Sequence, residues 1–300
     1  MAVATVREGF LPIHGYRIWH RVVGDGEQAG KLPVLCLHGG PGATYDYLEP
    51  LDQLAATGRR VIFYDQLGGG NSDKPHNPAL WTVRFFVEEL GAVIAALGLK
   101  RVHLLGQSWG GMLGMEYALT RPANLASLVA ASSPASMIQW VDEANRLRAE
   151  LPADVQATLL RHEQAGTTSD PAYQEAVMVF YKRHLCRLDP WPEPLKRSFT
   201  KMTRHPEVYH TMNGPSEFHV TGRLKDWDII PRLGEIRVPT LVVSGQYDEA
   251  TPAIAETIHR GIPGSQWVLF EESSHSVHLE EPERFLRVVG EFFDQVEANG

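Results

Sequence analysis

Arg101-Val102-His103-Leu104-Leu105-Gly106-Gln107-Ser108-Trp109-Gly110-Gly111 is the stretch that decides the fold of this chain. Its apolar run stops at Gly106, a helical pattern begins at Met112, and Ser108 has a glycine two positions away on each side. The result is G-x-S-x-G in the context of a strand, a sharp turn and a helix. Such a turn strains the serine backbone and requires small neighbours. It also lifts the hydroxyl clear of the sheet, at a helix N-terminus whose dipole favours negative charge.

Strands and helices alternate on both sides of this turn. We predict two strands within 5–23, further strands over 31–37, 60–64 and 125–131, and helices over 44–57 and 81–97, the last with Phe85, Leu90, Val93, Ile94 and Leu97 on one face. This alternation predicts an α/β fold with a mostly parallel central sheet flanked by helices.

The alternation is interrupted between 134 and 227. This stretch is helical in pattern, polar, and rich in Trp, Arg, His and Pro, and strands resume near Val238. We therefore predict a core domain of residues 1–133 and 228–300 with an inserted helical cap over 134–227. The alternative is a set of packing helices that have no part in a functional site.

Composition narrows the possible partners. The net charge is -8 at pH 7 and no run of Lys or Arg is present, so we expect no nucleic-acid partner. No apolar stretch approaches the length of a membrane span, and the first residues lack the pattern of a secretory signal. Cys36 lies in an apolar strand, far in sequence from Cys186, which favours a buried thiol over a disulfide. We expect a cytoplasmic protein that does not bind membranes.

A serine nucleophile needs a base, and the base needs an acid that orients it. In this kind of sheet the order along the chain is serine, acid, histidine. Asp248 follows a strand that ends near Val243, and His275 follows the strand predicted over 266–270. The alternatives are that Glu249 is the acid, that His278 is the base, or that the aspartate and the histidine have only structural roles.

Acyl transfer also requires backbone N–H groups that stabilise an oxyanion. One donor should be the N–H of Trp109, directly after the serine. The other should come from the loop His38-Gly39-Gly40-Pro41-Gly42, in which we favour Gly40. The cluster of histidines near 205–210 lacks the spacing of a catalytic zinc site, so we predict no metal.

Three further stretches carry a resemblance to a known family. They are the HGGPG loop at 38–42, Asp65-Gln66 with Gly68, Gly70 and Ser72, and Gly214-Pro215-Ser216-Glu217-Phe218 followed by Asp226-Trp227-Asp228. Together with Ser108 they resemble the proline iminopeptidase family of serine peptidases, which has the α/β-hydrolase fold. The resemblance implies a cofactor-independent enzyme that releases an N-terminal residue, often proline, from a short peptide, amide or arylamide.

The resemblance also implies that Glu217 and Glu249 hold the free amino group of the substrate. An α-amino group has a pKa of about 7.7–8.0 and is substantially cationic at neutral pH. A carboxylate in a partly dry cleft attracts such a cation more strongly than one in bulk water. The other interpretation is that both are ordinary solvated or ion-paired glutamates.

One residue departs from the family pattern. Leu67 stands where many members have arginine, so residues other than proline are also expected as substrates. A broad amino-acid amidase, a general carboxylesterase and a non-catalytic receptor of the same fold remain alternatives. The cap aromatics Phe180, Tyr181, Trp140 and Trp191 are candidates for lining an apolar pocket, and the oligomeric state is not predicted.

Overall fold

The computed structural model describes residues 5–299, so residues 1–4, the start of the stretch that lacks a secretory-signal pattern, lie outside it. One sheet of eight strands forms the centre of the fold. The strands are β1 (Val6–Ile13), β2 (Tyr16–Val23), β3 (Val34–Leu37), β4 (Val61–Tyr64), β5 (Val102–Gln107), β6 (Leu125–Ala131), β7 (Thr240–Gly245) and β8 (Gln266–Phe270). Their order across the sheet is β1-β2-β4-β3-β5-β6-β7-β8.

The sheet is mostly parallel, as the sequence predicts. β1 pairs antiparallel with β2, and β2 pairs antiparallel with β4. Every neighbouring pair from β4 to β8 is parallel. The carboxyl ends of β3, β5, β7 and β8 therefore lie along one edge of the sheet, which is where ligands bind in folds of this type.

Both faces of the sheet are buried. Leu104 and Leu128 pack into a core on one face, whereas Leu105 and Val129 pack into a core on the other. This alternation follows from the two-residue period of a strand. It explains why the central strands read as continuous apolar runs instead of alternating patterns.

Ten α-helices cover the sheet in the part of the chain described. Those of the core are α1 (Val83–Ala96), α2 (Trp109–Leu119), α8 (Pro252–Gly261), α9 (Val277–Glu280) and α10 (Pro282–Ala298). Between β6 and β7 lie α3 (Met137–Arg148), α4 (Ala153–Ala165), α5 (Pro171–His184), α6 (Glu193–Arg204) and α7 (Glu207–Met212). These five form the helical insertion, called the cap below. The division of the chain into two domains stays a prediction.

Two local expectations need correction. The segment predicted as a helix over 44–57 is a 3-10 helix, Tyr45–Thr57, with Pro50 inside it. In α1 the aromatic residue that is fully buried is Phe86, and Phe85 is only partly buried. Both cysteines are free and buried. Within residues 5–299 no helix has the length and apolarity needed to cross a membrane.

Candidate active site

Ser108 lies in the strained turn that the motif predicts. It is the N-cap of α2, with φ at 57° and ψ at -125°, a conformation rare for a residue with a side chain. A Cβ atom at Gly110 would collide with the carbonyl of Leu37, and one at Gly106 would collide with the carbonyl of Gly110. The two glycines are therefore required because backbone segments pack directly against them.

The structure brings Asp248 and His275 together beside this turn. His275 Nδ1 donates a hydrogen bond of 2.7 Å to Asp248 Oδ1, which also accepts one of 2.7 Å from the N–H of Ala250. With its proton on Nδ1, the imidazole has a free lone pair on Nε2, which is the arrangement that a general base requires. Ser108 and His275 line the same cavity.

The geometry favours Asp248 and His275 over the rival residues. Glu249 Oε1 lies 3.8 Å from His275 Nε2, beyond hydrogen-bonding distance and on the opposite side of the ring from Asp248. His278 Nε2 donates to the carbonyl of Tyr47 at 3.0 Å, and burial lowers the pKa of His278 to about 4. His278 is thus a neutral structural residue.

The backbone donors expected for an oxyanion are free. Within residues 5–299 neither the N–H of Gly40 nor that of Trp109 donates a hydrogen bond. The N–H of Gly39 donates to the hydroxyl of Tyr47 at 2.6 Å, which leaves Gly40 as the donor that the loop offers. Gly40 has φ at +110°, a region that favours glycine.

A chain of hydrogen bonds that the sequence did not reveal connects these parts. The Tyr47 hydroxyl donates to Gln107 Oε1 at 2.6 Å, and Gln107 Nε2 donates to the carbonyl of His275 at 3.1 Å. Tyr47 and Gln107 therefore join the Gly39 loop, the Ser108 turn and the His275 loop. Gln107 could have been noticed as part of the motif, but nothing in the sequence distinguishes Tyr47.

Glu217 and Glu249 face the same cavity as Ser108. Glu249 is fully buried, and both of its carboxylate oxygens lack a hydrogen-bond partner. Burial, followed by the charges of Glu217 and Asp248, raises the pKa of Glu249 well above its usual range. Burial also raises the pKa of Glu217, against a hydrogen bond of 2.7 Å from the Tyr209 hydroxyl. The two glutamates therefore bring two carboxyl groups, one of them fully buried, to the cavity that Ser108 lines.

Residues of the cap position this pair of glutamates. The Trp140 indole N–H donates to the carbonyl of Glu217 at 2.7 Å, and the N–H of Glu217 donates to the Tyr181 hydroxyl at 3.3 Å. At the end of α5, the carbonyl of His184 accepts from the N–H of Glu249 at 3.3 Å and from that of His275 at 3.1 Å. Contacts from the cap therefore position both glutamates and His275, the predicted base.

Two cavities meet at Ser108. The first, called the catalytic cavity, has about 470 Å³ of open space and is lined by Ser108, His275, Glu217, Glu249 and cap residues that include Phe199 and Met202. The second, called the apolar pocket, has about 250 Å³ and is lined by Ser108, Gly40, Trp109, Met112, Pro134, Met137, Trp140, Asn213, Glu217 and Leu224. Of the cap aromatics proposed from the sequence, Trp140 lines the apolar pocket, whereas Phe180, Tyr181 and Trp191 line neither cavity.

Comparison with known proteins agrees with this arrangement. Residues 33–282 match the family model of the alpha/beta hydrolase fold. The proline iminopeptidase of Saccharolobus solfataricus is 41% identical over 97% of this chain and 94% of its own length. The crystal structure of a Mycobacterium smegmatis proline iminopeptidase is 45% identical with a TM-score of 0.91, covering 98% of this chain and 99% of that one. The chain belongs to the proline iminopeptidase family.

A second solved structure is equally similar. The crystal structure of VinJ is 47% identical, with a TM-score of 0.94 over 97% of this chain and 99% of that one. The family resemblance and the α/β-hydrolase fold predicted from the sequence are thus confirmed.

The Asp65-Gln66 motif shared with the proline iminopeptidase family forms hydrogen bonds to residues that surround the site. Asp65 accepts backbone N–H bonds from Tyr45 at 2.8 Å and from Asn71 at 2.7 Å. Gln66 Oε1 accepts from the Trp109 indole at 2.8 Å, and Gln66 Nε2 donates to the carbonyl of His38 at 3.0 Å. Gln66 therefore ties the predicted oxyanion residue to the HGGPG loop.

Leu67, the departure from the family pattern, lies away from both cavities. It is 1% exposed, and its N–H donates to Glu89 Oε2 at 3.0 Å. Glu89 is fully buried, its Oε1 has no partner, and burial raises its pKa to about 8. Leu67 does not line the space that a substrate would occupy.

Proposed function

We propose that the protein is a serine aminopeptidase that releases N-terminal proline, and other small or apolar residues, from short peptides, amides and arylamides. The observation that carries this proposal is the fully buried Glu249, whose carboxylate has no partner and shares the catalytic cavity with Ser108, His275 and Glu217. Relatives named proline iminopeptidase, at about 40% identity over almost the whole chain, support the same activity.

The chemistry proposed is acyl transfer through a covalent intermediate. Ser108 Oγ attacks the carbonyl carbon next to the free amine and passes its proton to His275 Nε2. The N–H groups of Gly40 and Trp109 bind the oxyanion that forms. His275 then protonates the departing amine, the C–N bond breaks, and water hydrolyses the prolyl or aminoacyl ester of Ser108 by the reverse sequence of proton transfers.

The glutamate pair accounts for the requirement for a free amine. The α-ammonium of a substrate brings the positive charge that Glu217 and Glu249 lack, so it stabilises their ionised forms. A substrate with an acetylated amine would leave the pair without a cation in a low-dielectric site. Blocked peptides are rejected for that reason, and the enzyme cuts only the first bond.

The apolar pocket accounts for the residue preference. Met112, Met137, Trp140 and Leu224 surround it, and it opens beside Ser108 and Gly40. Methionine side chains adapt their shape to what they contact. The pocket therefore suits a pyrrolidine ring, and also small or apolar side chains. Broad aminoacyl amidase activity is the same reaction with an ammonia leaving group.

The decisive experiment compares wild type with Ser108→Ala on prolyl and alanyl p-nitroanilides. We expect the variant to lose at least about 10⁴-fold in kcat, because removal of the nucleophile leaves only binding and oxyanion stabilisation. A fluorophosphonate should label wild type once per chain and leave the variant unlabelled. Activity retained by the variant refutes the proposal, and a wild-type preference for simple acyl esters over aminoacyl anilides points to a carboxylesterase.

A further inference from the structure

The cap contains a third cavity that the proposed reaction does not use. It encloses about 1150 Å³, including its opening to solvent, between α5, α6, α7 and the loop before α5. We call it the cap cavity; its lining residues include Val177, Met178, Thr203 and His210. This volume, which includes the open mouth, is slightly above the range of about 300–1,000 Å³ for sites that bind small molecules.

The cap cavity adjoins the catalytic cavity. Phe199 and Met202 on α6 line both spaces. Tyr181 and Tyr209 also line the cap cavity, and their hydroxyls contact the N–H and the carboxylate of Glu217. Phe199 and Met202 therefore lie between the two spaces, and the cap cavity is the space next to the catalytic cavity on the side of α6.

The lining selects for an uncharged occupant. None of the described residues that line the cap cavity is Asp, Glu, Lys or Arg. His210 is the one histidine among them, and burial lowers its pKa, so it is neutral at pH 7. A carboxylate placed here would find no cation, whereas a hydrocarbon chain would contact Val177, Met178 and the two shared side chains.

We propose that the cap cavity binds the leaving group of the substrate, and that this group is an uncharged aliphatic chain attached to the scissile amide nitrogen. This assignment rests on the proposed function, which places the amine at Glu217 and Glu249 and the acyl side chain in the apolar pocket. Phe199 and Met202 line the catalytic cavity on the side of the cap cavity, which places that cavity within reach of a leaving group. The reaction is unchanged: the C–N bond breaks, His275 protonates the nitrogen, and an alkylamine departs through the cap.

The test is a series of prolyl n-alkylamides from propyl to octyl, with prolyl p-nitroanilide as the reference substrate and prolyl-leucine as the charged counterpart. Each methylene group that enters the cavity should raise kcat/KM by roughly two- to fourfold, from the transfer free energy of a CH₂ group. Prolyl-leucine, whose leaving group carries a carboxylate, should be cleaved less well than the alkylamide of similar length.

A matched pair of variants locates the effect. Thr203 and Thr200 are both exposed on α6, and each hydroxyl donates to the carbonyl four residues earlier, at 3.0 Å and 2.8 Å. Only Thr203 lines the cap cavity. We expect Thr203→Trp to abolish the dependence of kcat/KM on chain length, and Thr200→Trp to keep the chain-length dependence of wild type.

The outcomes separate the two proposals. A wild-type series that is flat in chain length, or two variants with the same chain-length dependence, overturns the leaving-group assignment while the reference reaction remains intact. Failure of wild type to cleave prolyl p-nitroanilide overturns the proposed function itself, and the assignment with it.

Discussion

Replacing Glu249 with glutamine is the sharpest test of amine recognition. The substitution keeps the shape of the side chain and removes the charge that would bind the substrate ammonium. Loss of one partner of a buried, hydrogen-bonded charge pair costs about 2–5 kcal/mol. At about 1.36 kcal/mol per factor of ten, kcat/KM for prolyl p-nitroanilide should fall by about 30- to 5,000-fold.

The same substitution should make the folded protein more stable than wild type, by an amount that increases as pH rises. The pKa of Glu249 in the folded protein lies well above its ordinary value of 4.5, so folding takes up a proton. Wild type therefore loses stability as pH increases above about 4.5, and a glutamine at this position does not contribute to that loss. The difference in Tm, variant minus wild type, should grow between pH 5 and pH 9 when measured by differential scanning calorimetry.

Two controls make the result interpretable. Glu272→Gln changes an exposed glutamate in the same part of the chain and should alter neither kcat/KM nor Tm. An N-acetylprolyl ester, which has no ammonium, should be hydrolysed at least as fast by Glu249→Gln as by wild type. If the variant loses as much on the blocked ester as on the anilide, Glu249 does not act through the amine and the reasoning fails.

Three other predictions concern the residues around the site. Tyr47→Phe should lower kcat by about fivefold or more with little change in KM, because the Gly39 N–H and Gln107 lose a buried partner worth about 1–3 kcal/mol. Steady-state kinetics would show this effect, and a lower Tm with an unchanged kcat would contradict it. Gly110→Ala should reduce the free energy of unfolding in urea by about 1–3 kcal/mol, because its methyl group meets the Leu37 carbonyl; unchanged stability would argue against the packing described. For Glu89→Gln, the Tm advantage over wild type should rise from pH 4.5 and level off near pH 8, the pKa of the buried carboxyl, and a pH-independent difference would refute that assignment.

Much of the fold follows from local patterns. The turn at Ser108 could be predicted because it needs glycines for steric reasons, and those glycines lie within a few residues of Ser108 in the sequence. The strands before it and after it could be predicted because both faces of the sheet are buried. The 3-10 helix of Tyr45–Thr57 could not, since its apolar spacing is helical and the tighter winding depends on packing against the rest of the fold.

The site was less accessible to sequence reasoning wherever it depends on tertiary contacts. Asp248 and His275 follow strands that end at one edge of the sheet, so chain order was enough to propose them. Tyr47 contacts Gln107 across 60 positions of sequence, and no local pattern indicates such a pair. Trp191 looked like a pocket residue only because it is aromatic, and its indole N–H instead donates to the carbonyl of Cys186.

Leu67 is buried in the core, and its effect on substrate preference stays a prediction. Its difference from the family's arginine suggested a change in substrate preference. In the fold it lies beside the buried carboxyl of Glu89, and its own side chain belongs to the core. Under the proposed function, the residues expected to affect substrate preference are those of the apolar pocket, Met112, Met137, Trp140 and Leu224.

The carbonyl of His184 accepts from both Glu249 and His275, and this limits how substrates reach the serine. If α5 moved outward as a rigid body, it would pull on the loops that carry His275 and Glu249. An open form of that kind would be catalytically incompetent until it closed again. Rotation of side chains such as Phe199 and Met202 would let substrate enter and product leave while the loops that carry His275 and Glu249 stay in place between turnovers.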